Sequence, residues 1–154
     1  MTKTYKQPVS VLIVVHTPDD EILLLERADF PEHWQSITGS IEPGETLLVA
    51  ARRELHEETG LNAERDGVLT DMKHDVHYEI FEQWQHRYPP ETTQNNEHWF
   101  SLLVPSRRTI VLSEREHLRY LWLPALEAAE KVFSPSNRDA ILTLRDNQSR
   151  RCLD

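Results

Sequence analysis

Cysteine is almost missing from the chain. Cys152 is the only one, so no internal disulfide can form, and such usage fits a reducing, cytoplasmic setting. No apolar run approaches the roughly 18 residues that would span a membrane. The apolar stretch 9–15 is short and β-branched and has no small-residue cleavage site; it reads as a strand and not as a secretion signal. Basic residues are in deficit, 17 Lys and Arg against 26 Asp and Glu, for a net charge of −9. With no basic stripe, this balance argues against nucleic acid and anionic lipid as partners. A small polyphosphate stays open, because a bound divalent cation reverses the local sign. The eight histidines are scattered and form no paired motif of the structural-zinc kind. No Gly-x-Ser-x-Gly elbow marks a serine hydrolase.

Repeats, low-complexity segments and linkers are absent as well, so the 154 residues read as one domain, 1–154. Residues 9–16 and 22–27 read as strands joined at Thr17-Pro18-Asp19-Asp20, and 35–38 as a short strand. Thr46 is an N-cap for a helix over 47–59, with Leu47, Leu48, Ala51 and Leu55 at helical spacing and Gly60 directly after. Strands follow near 68–71, 76–81, 99–104 and 120–122, with a loop over 85–96. Two helices close the chain, 124–132 and 136–147, started by Pro124 and Ser136. Strands first, a helix between them and helices last make a mixed α/β domain.

The informative stretch is 39–61: Gly39, Glu45, Arg53-Glu54-Leu55, Glu57-Glu58 and Gly60-Leu61. Glu54, Glu57 and Glu58 stand at i, i+3 and i+4, where like charges repel. They occupy the last turns of the helix, where the dipole disfavours negative charge. Glu54 and Glu58 also fall on the stripe of Leu47 and Ala51, so they abut the core and lose hydration. Three local rules broken in one place indicate a functional site. A hard divalent cation relieves all three: Mg²⁺ or Mn²⁺ takes carboxylate oxygens and completes its shell with water and substrate phosphates. Arg53 would orient the carboxylates through bidentate hydrogen bonds. Gly39 and the Glu42-Pro43-Gly44 loop let the backbone fold tightly over the helix.

These nine positions resemble the complete signature box of the Nudix hydrolases. The resemblance implies an α/β/α sandwich with a mixed central sheet, the box folded as loop-helix-loop, Mg²⁺ dependence with Mn²⁺ as a substitute, and attack of water on phosphorus. The flanks Tyr5-Lys6-Gln7-Pro8, Trp34-Gln35-Ser36-Ile37-Thr38, His86-Arg87-Tyr88, Asn96-Glu97-His98-Trp99-Phe100, Glu116-His117-Leu118 and Ser136-Asn137-Arg138 are similar to the bacterial branch of that family that acts on a pterin triphosphate. That branch implies removal of pyrophosphate from dihydroneopterin triphosphate in folate biosynthesis, with side activity on deoxynucleoside triphosphates such as dATP.

Carried over at matching positions, the resemblance implies Glu54 and Glu58 as metal ligands with Glu116 as a third, Glu57 joining them or holding a second ion. Lys6 and Arg27 would meet the triphosphate. Thr38 and Tyr78-Glu79-Ile80-Phe81 would line the ring pocket, with Ser134 near its rim. On the residues alone, Lys6 and Arg27 read first as surface charges, Tyr78 and Phe81 equally as core, Ser134-Pro135 as a turn, and Glu114 as a rival to Glu116. The identity of the general base stays open. So do a broader pyrophosphohydrolase acting on nucleoside triphosphates, oxidised nucleotides or dinucleoside polyphosphates, and, from another class, a non-catalytic nucleotide sensor on the same fold. The oligomeric state is not specified.

Overall fold

The computed structural model describes residues 4–153, with side chains as far as residue 148; residues 1–3, Asp154 and the side chain of Cys152 lie outside what is described. The elements run β1 (Val9–His16), β2 (Glu21–Arg27), β3 (Trp34–Gln35), β4 (Ile37–Ser40), α1 (Leu47–Thr59), β5 (Val68–Glu79), a 3-10 turn (Glu82–Arg87), β6 (Gln94–Leu103), β7 (His117–Pro124), α2 (Ala125–Lys131) and α3 (Pro135–Leu153). All strands join one sheet that is mixed in sense, β1 running parallel to β6 and antiparallel to its other partners.

Alternate residues of β1 go to opposite faces, and both faces are covered. Val11, Ile13 and Val15 pack with Ala51 and Leu55 of α1. Leu12 and Val14 pack with Ala128 of α2 and Ile141 of α3. A strand buried on both faces needs a continuous apolar run, which is why 9–15 carries no polar alternation beyond Ser10. The layers are therefore helix, sheet, helix.

The sheet is split, and the split positions the site. β1 and β2 pair only at His16↔Ile22. Beyond that point they diverge, and β4 takes the place beside β1, from Ile13↔Ile37 to Ser10↔Ser40. β2 continues with β3 on one side and β7 on the other. The segment expected as one strand over 35–38 is thus two, broken at Ser36 so that a single stretch of chain serves both diverging strands. Asn137 of α3 fixes the break: Ser36 N–H donates to Asn137 Oδ1 at 2.8 Å, and Asn137 Nδ2 returns a bond to Ser36 Oγ at 3.0 Å.

Two further expectations are corrected. The strands expected at 68–71 and 76–81 are one strand, β5, which ends at Glu79 and shifts register between Asp71 and Asp75; Met72-Lys73-His74 lie at the shift, and pairing with the unbroken β6 carries the strand across it. The loop expected over 85–96 is shorter at both ends. Its start belongs to the 3-10 turn, and Gln94 to Asn96 belong to β6, because Asn96 N–H bonds to Pro8 and the Asn95 side chain is engaged by Ser10 and Tyr78. Tertiary partners override the turn preference of consecutive asparagines.

Helix α1 begins and ends as its sequence dictates. Thr46 Oγ1 accepts from Val49 N–H at 3.2 Å, and Gly60 sits left-handed at φ 76° with its N–H on His56 O. Val111 approaches Gly60 closely, at 3.1 Å from where a Cβ would stand. Gly60→Ala is expected to lower stability by about 1–2 kcal/mol, read as a reduced midpoint in urea unfolding with an unchanged slope; an unaltered midpoint would contradict it.

Candidate active site

Arg53 ties the loop before α1 to the helix itself. Its Nε and Nη2 donate to the two oxygens of Glu45 at 2.7 and 2.9 Å, Nη2 also reaches Ser40 O at 3.1 Å, and Nη1 donates to Glu54 Oε1 at 2.7 Å. This bidentate clamp raises the Arg53 pKa further, chiefly through Glu45. Gly39 is the other half of the device. A Cβ at Gly39 would overlap the Glu54 carboxylate, so only glycine lets that carboxylate lie against β4.

Glu54 and Glu58 line a cleft of about 380 Å³ in the split of the sheet. Glu58 is only 2% exposed, and its Oε2 is buried with no hydrogen-bond partner. Loss of water, with the Glu54 and Glu116 carboxyls nearby, pushes its pKa well above 4.5. Desolvation also raises Glu54, against the opposing bonds to Glu58 and Arg53. Glu116 comes from the loop before β7, anchored where its carbonyl accepts from Ala28 N–H at 2.9 Å. Beside it His117, paired in register with Arg27, places Nε2 3.5 Å from Glu58 Oε1. Burial, then the Arg27 charge, lowers His117 to about 4, so the imidazole is neutral at pH 7. Glu58, Glu116 and His117 present ligand atoms all within 4.8 Å of one another. Such a set suits a divalent cation.

A cationic part of the cleft faces these carboxylates. Arg27 donates to Asp29 from Nε and Nη2, both at 2.8 Å, and to Gln35 from Nη1 at 2.9 Å, while its guanidinium stacks 4.3 Å from the Trp84 ring. Arg87 and the Trp84 indole N–H also reach Asp29, each at 3.0 Å. Burial alone would raise Asp29, but Arg27, Trp84 and Arg87 hold it well below the usual carboxylate range. Lys6 hangs on the same arrangement, its backbone N–H on Arg87 O. Its pKa is lowered by desolvation and by Arg87, with Glu54 and Glu116 pulling the other way.

The remaining part of the cleft is apolar. Phe81, Trp84 and Phe133 meet with ring centroids 5.5 to 5.7 Å apart, and Tyr78 and Ile80 extend the wall. The result is one cavity with an anionic cluster, a cationic flank and an aromatic slot.

Of the residues expected at a site, Glu54, Glu58, Glu116, Lys6, Arg27, Thr38, Tyr78, Ile80, Phe81 and Ser134 all line this cleft. Thr38 Oγ1 donates to Val11 O at 3.0 Å, and Ser134 Oγ lies 3.0 Å from Ser136 Oγ. Three do not line it. Arg53 acts from behind the cluster. Glu57 is exposed and accepts from Arg53 at 3.3 Å, since one residue's rotation from Glu58 turns it to solvent. Glu79 is exposed between inward Tyr78 and Ile80, as strand alternation requires. Glu114, the rival to Glu116, is also exposed and away from the cleft.

Sequence reasoning missed His117, Trp84, Arg87 and Phe133. His117 and Arg87 stand in the quoted flanking motifs, next to or among polar neighbours, and spacing rules that look for paired histidines pass over a single one. Trp84 and Phe133 sit outside any periodic pattern, in the 3-10 turn and after α2, and nothing local marks them.

A NUDIX domain model matches residues 6–144. The chain belongs to the Nudix family. It is 46% identical over 141 residues to a dihydroneopterin triphosphate diphosphatase of Escherichia coli strain K12, covering 90% of this chain and 93% of that protein. A protein of the same description from Haemophilus influenzae is 41% identical over 139 residues, covering 89% and 87%. The structure of the Escherichia coli dihydroneopterin triphosphate pyrophosphohydrolase superposes with a TM-score of 0.88, over 94% of this chain and 99% of that one. Helix α1 with its flanking loops is thus the Nudix box, and the sheet split is where this Nudix fold keeps its cleft. Among the described residues no helix is long and apolar enough to cross a membrane.

Burial makes the Glu58 carboxyl hold its proton to higher pH in the fold than in the unfolded chain, which releases it near pH 4.5. It therefore costs the protein stability as pH rises from 4.5 toward the folded value. His117 works in the opposite sense, so the informative quantity is a difference. Melts of metal-free protein should show wild type losing stability relative to Glu58→Gln as pH rises from 5 to 8; parallel curves would contradict the assignment.

Proposed function

We propose that this Nudix hydrolase cleaves dihydroneopterin triphosphate to dihydroneopterin monophosphate and pyrophosphate, a step of folate biosynthesis, and that it also accepts deoxynucleoside triphosphates such as dATP. The observation that carries the reading is the 46% identity, spread over nine-tenths of the chain, to the Escherichia coli enzyme named for that substrate. The cleft agrees in kind: its cationic flank and carboxylate cluster suit a triphosphate, and its aromatic slot suits a flat bicyclic ring.

Glu54, Glu58 and Glu116 are the metal ligands in this reading, with His117 beside them. The fit rests on the unpartnered, buried Oε2 of Glu58, an oxygen that a cation would satisfy, and on hard carboxylate donors that favour Mg²⁺, with Mn²⁺ as a substitute. Such an ion, when bound, neutralises phosphate charge and acidifies a water. Arg53 holds Glu54 in place, and Glu57 contributes through Arg53. Lys6 and Arg27, with Arg87, bind the triphosphate. Tyr78, Ile80 and Phe81 hold the ring, while Thr38 and Ser134 border it; Glu79 serves the strand. A carboxylate of the cluster positions the attacking water, whose oxygen forms the new bond to phosphorus as a bridging anhydride bond breaks. A single domain working in the cytoplasm on a small triphosphate completes the reading.

Pyrophosphate release should favour dihydroneopterin triphosphate over each of the four common dNTPs by specificity constant under equal Mg²⁺. A clear preference for a dinucleoside polyphosphate or an oxidised nucleotide would replace the substrate. Glu54→Gln and Glu58→Gln should each lower turnover at least ~10-fold with the fold intact, and Mg²⁺ should raise the melting temperature of wild type more than that of Glu58→Gln. Full turnover in either variant would remove that residue from the ligand set, and tight binding of nucleotide without hydrolysis by wild type would favour a sensor.

A further inference from the structure

In a chain with 26 acidic residues against 17 basic ones, an arginine without a carboxylate partner is unexpected. Every other arginine whose side chain is described has a carboxylate oxygen within 3.9 Å. Arg115 has none, and it makes no hydrogen bond to any described residue, although Glu114 and Glu116 flank it. Its place is the cleft, which it lines from the turn that carries Glu116. The backbone around it is fixed: the N–H groups of Glu116 and His117 both donate to Ser113 O, at 3.0 and 2.9 Å, and Glu116 O accepts from Ala28 N–H. The side chain is exposed and unanchored.

The other cations of the cleft are already engaged. Arg27 and Arg87 share Asp29, and Lys6 stands in the field of Glu54 and Glu116. A triphosphate adds several negative charges to a cavity that already holds Asp29, Glu54, Glu58, Glu97 and Glu116. Among the described residues, Arg115 is the cation of this cavity whose charge is uncommitted. Its position also sorts the phosphates. Arg27 stacks on Trp84 and so stands next to the aromatic slot, where the phosphate nearest the ring lies. Arg115 stands at the exposed edge beside Glu116, where the phosphates farther from the ring emerge.

We propose that Arg115 binds the outer two phosphates of the substrate, the part that leaves as pyrophosphate. Its planar fork of N–H donors matches a pair of phosphate oxygens and holds them by charge-assisted hydrogen bonds. Arg115 is then a substrate-binding residue for the leaving group, neither a metal ligand nor a carrier of protons. Because it meets only phosphates, it serves every triphosphate the cleft admits and makes no choice among rings. The proposal rests on the reading of the cleft as a triphosphate pyrophosphohydrolase site.

The experiment titrates pyrophosphate with Mg²⁺ into wild type, Arg115→Gln and Arg52→Gln by calorimetry, and measures kcat and KM for dihydroneopterin triphosphate and dATP in each. Arg52 is an exposed arginine of α1 outside the cleft, so its loss removes the same charge elsewhere. Arg115→Gln should weaken pyrophosphate binding about 10-fold and raise KM for both triphosphates by a similar factor. Its kcat should stay within about threefold of wild type, the pattern of a lost binding contact. Arg52→Gln should change none of these by more than about twofold, because a distant exposed charge is screened. Pyrophosphate affinity unchanged in Arg115→Gln, or weakened equally in Arg52→Gln, overturns the proposal, as does a wild type that binds no pyrophosphate. Should Arg115→Gln fail to fold, Arg115→Lys decides: it keeps the charge without the fork and should weaken pyrophosphate about threefold, and wild-type affinity in it overturns the proposal. If wild type turns over no triphosphate, the pyrophosphohydrolase reading falls, while the titration, which needs no turnover, still judges Arg115.

Discussion

Glu58 keeps a carboxyl group in the interior of the protein with one oxygen unpartnered, and an ionised carboxylate removed from water costs several kcal/mol when nothing compensates it. Much of the surrounding construction follows from holding that group, and Glu54 beside it, at the edge of the core. Arg53 fixes Glu54 from behind and at the same time pins the preceding loop through Glu45 and Ser40. Gly39 leaves the space the Glu54 carboxylate occupies. The divergence of β1 from β2 opens the sheet where these groups emerge.

The cleft separates its tasks by chemistry. Anionic groups come from α1 and from the loop before β7, cations from the segment before β1, from β2 and from the end of the 3-10 turn, and aromatic rings from that turn and the segment after α2. Asp29 keeps the cations in order. By accepting from Arg27, Arg87 and Trp84 together, it prevents two guanidinium groups from driving each other out of the cavity. The same contacts couple the cationic flank to the aromatic slot, because the Trp84 ring carries the Arg27 guanidinium. A phosphate chain and a ring held in one cavity are thereby held in one register.

Most of the scaffold was legible because local rules and tertiary structure agree there. Thr46, Leu47, Ala51, Leu55 and Gly60 mark both the ends and the buried face of α1, and the uninterrupted apolar run of β1 marks a strand covered on both sides. Where local rules and tertiary partners compete, the local reading failed. Asn95 and Asn96 look like a turn but are drawn into β6 by Ser10, Tyr78 and Pro8, and the stretch around Ser36 looks like one strand until Asn137 breaks it.

The amino-acid sequence by itself determined the carboxylate cluster, since i, i+3 and i+4 spacing on a helix is a local fact that holds in any fold containing that helix. It also determined the capped helix, the flexible glycines and the family these imply. Only the tertiary structure decided that Glu116 and not Glu114 joins Glu54 and Glu58, and that His117, Trp84, Arg87, Phe133, Asn95 and Glu97 share their cleft. The reason is geometric. Those residues come from segments that lie tens of positions from α1, and their meeting with its glutamates depends on strand register and on where the sheet splits, neither of which any short-range pattern encodes.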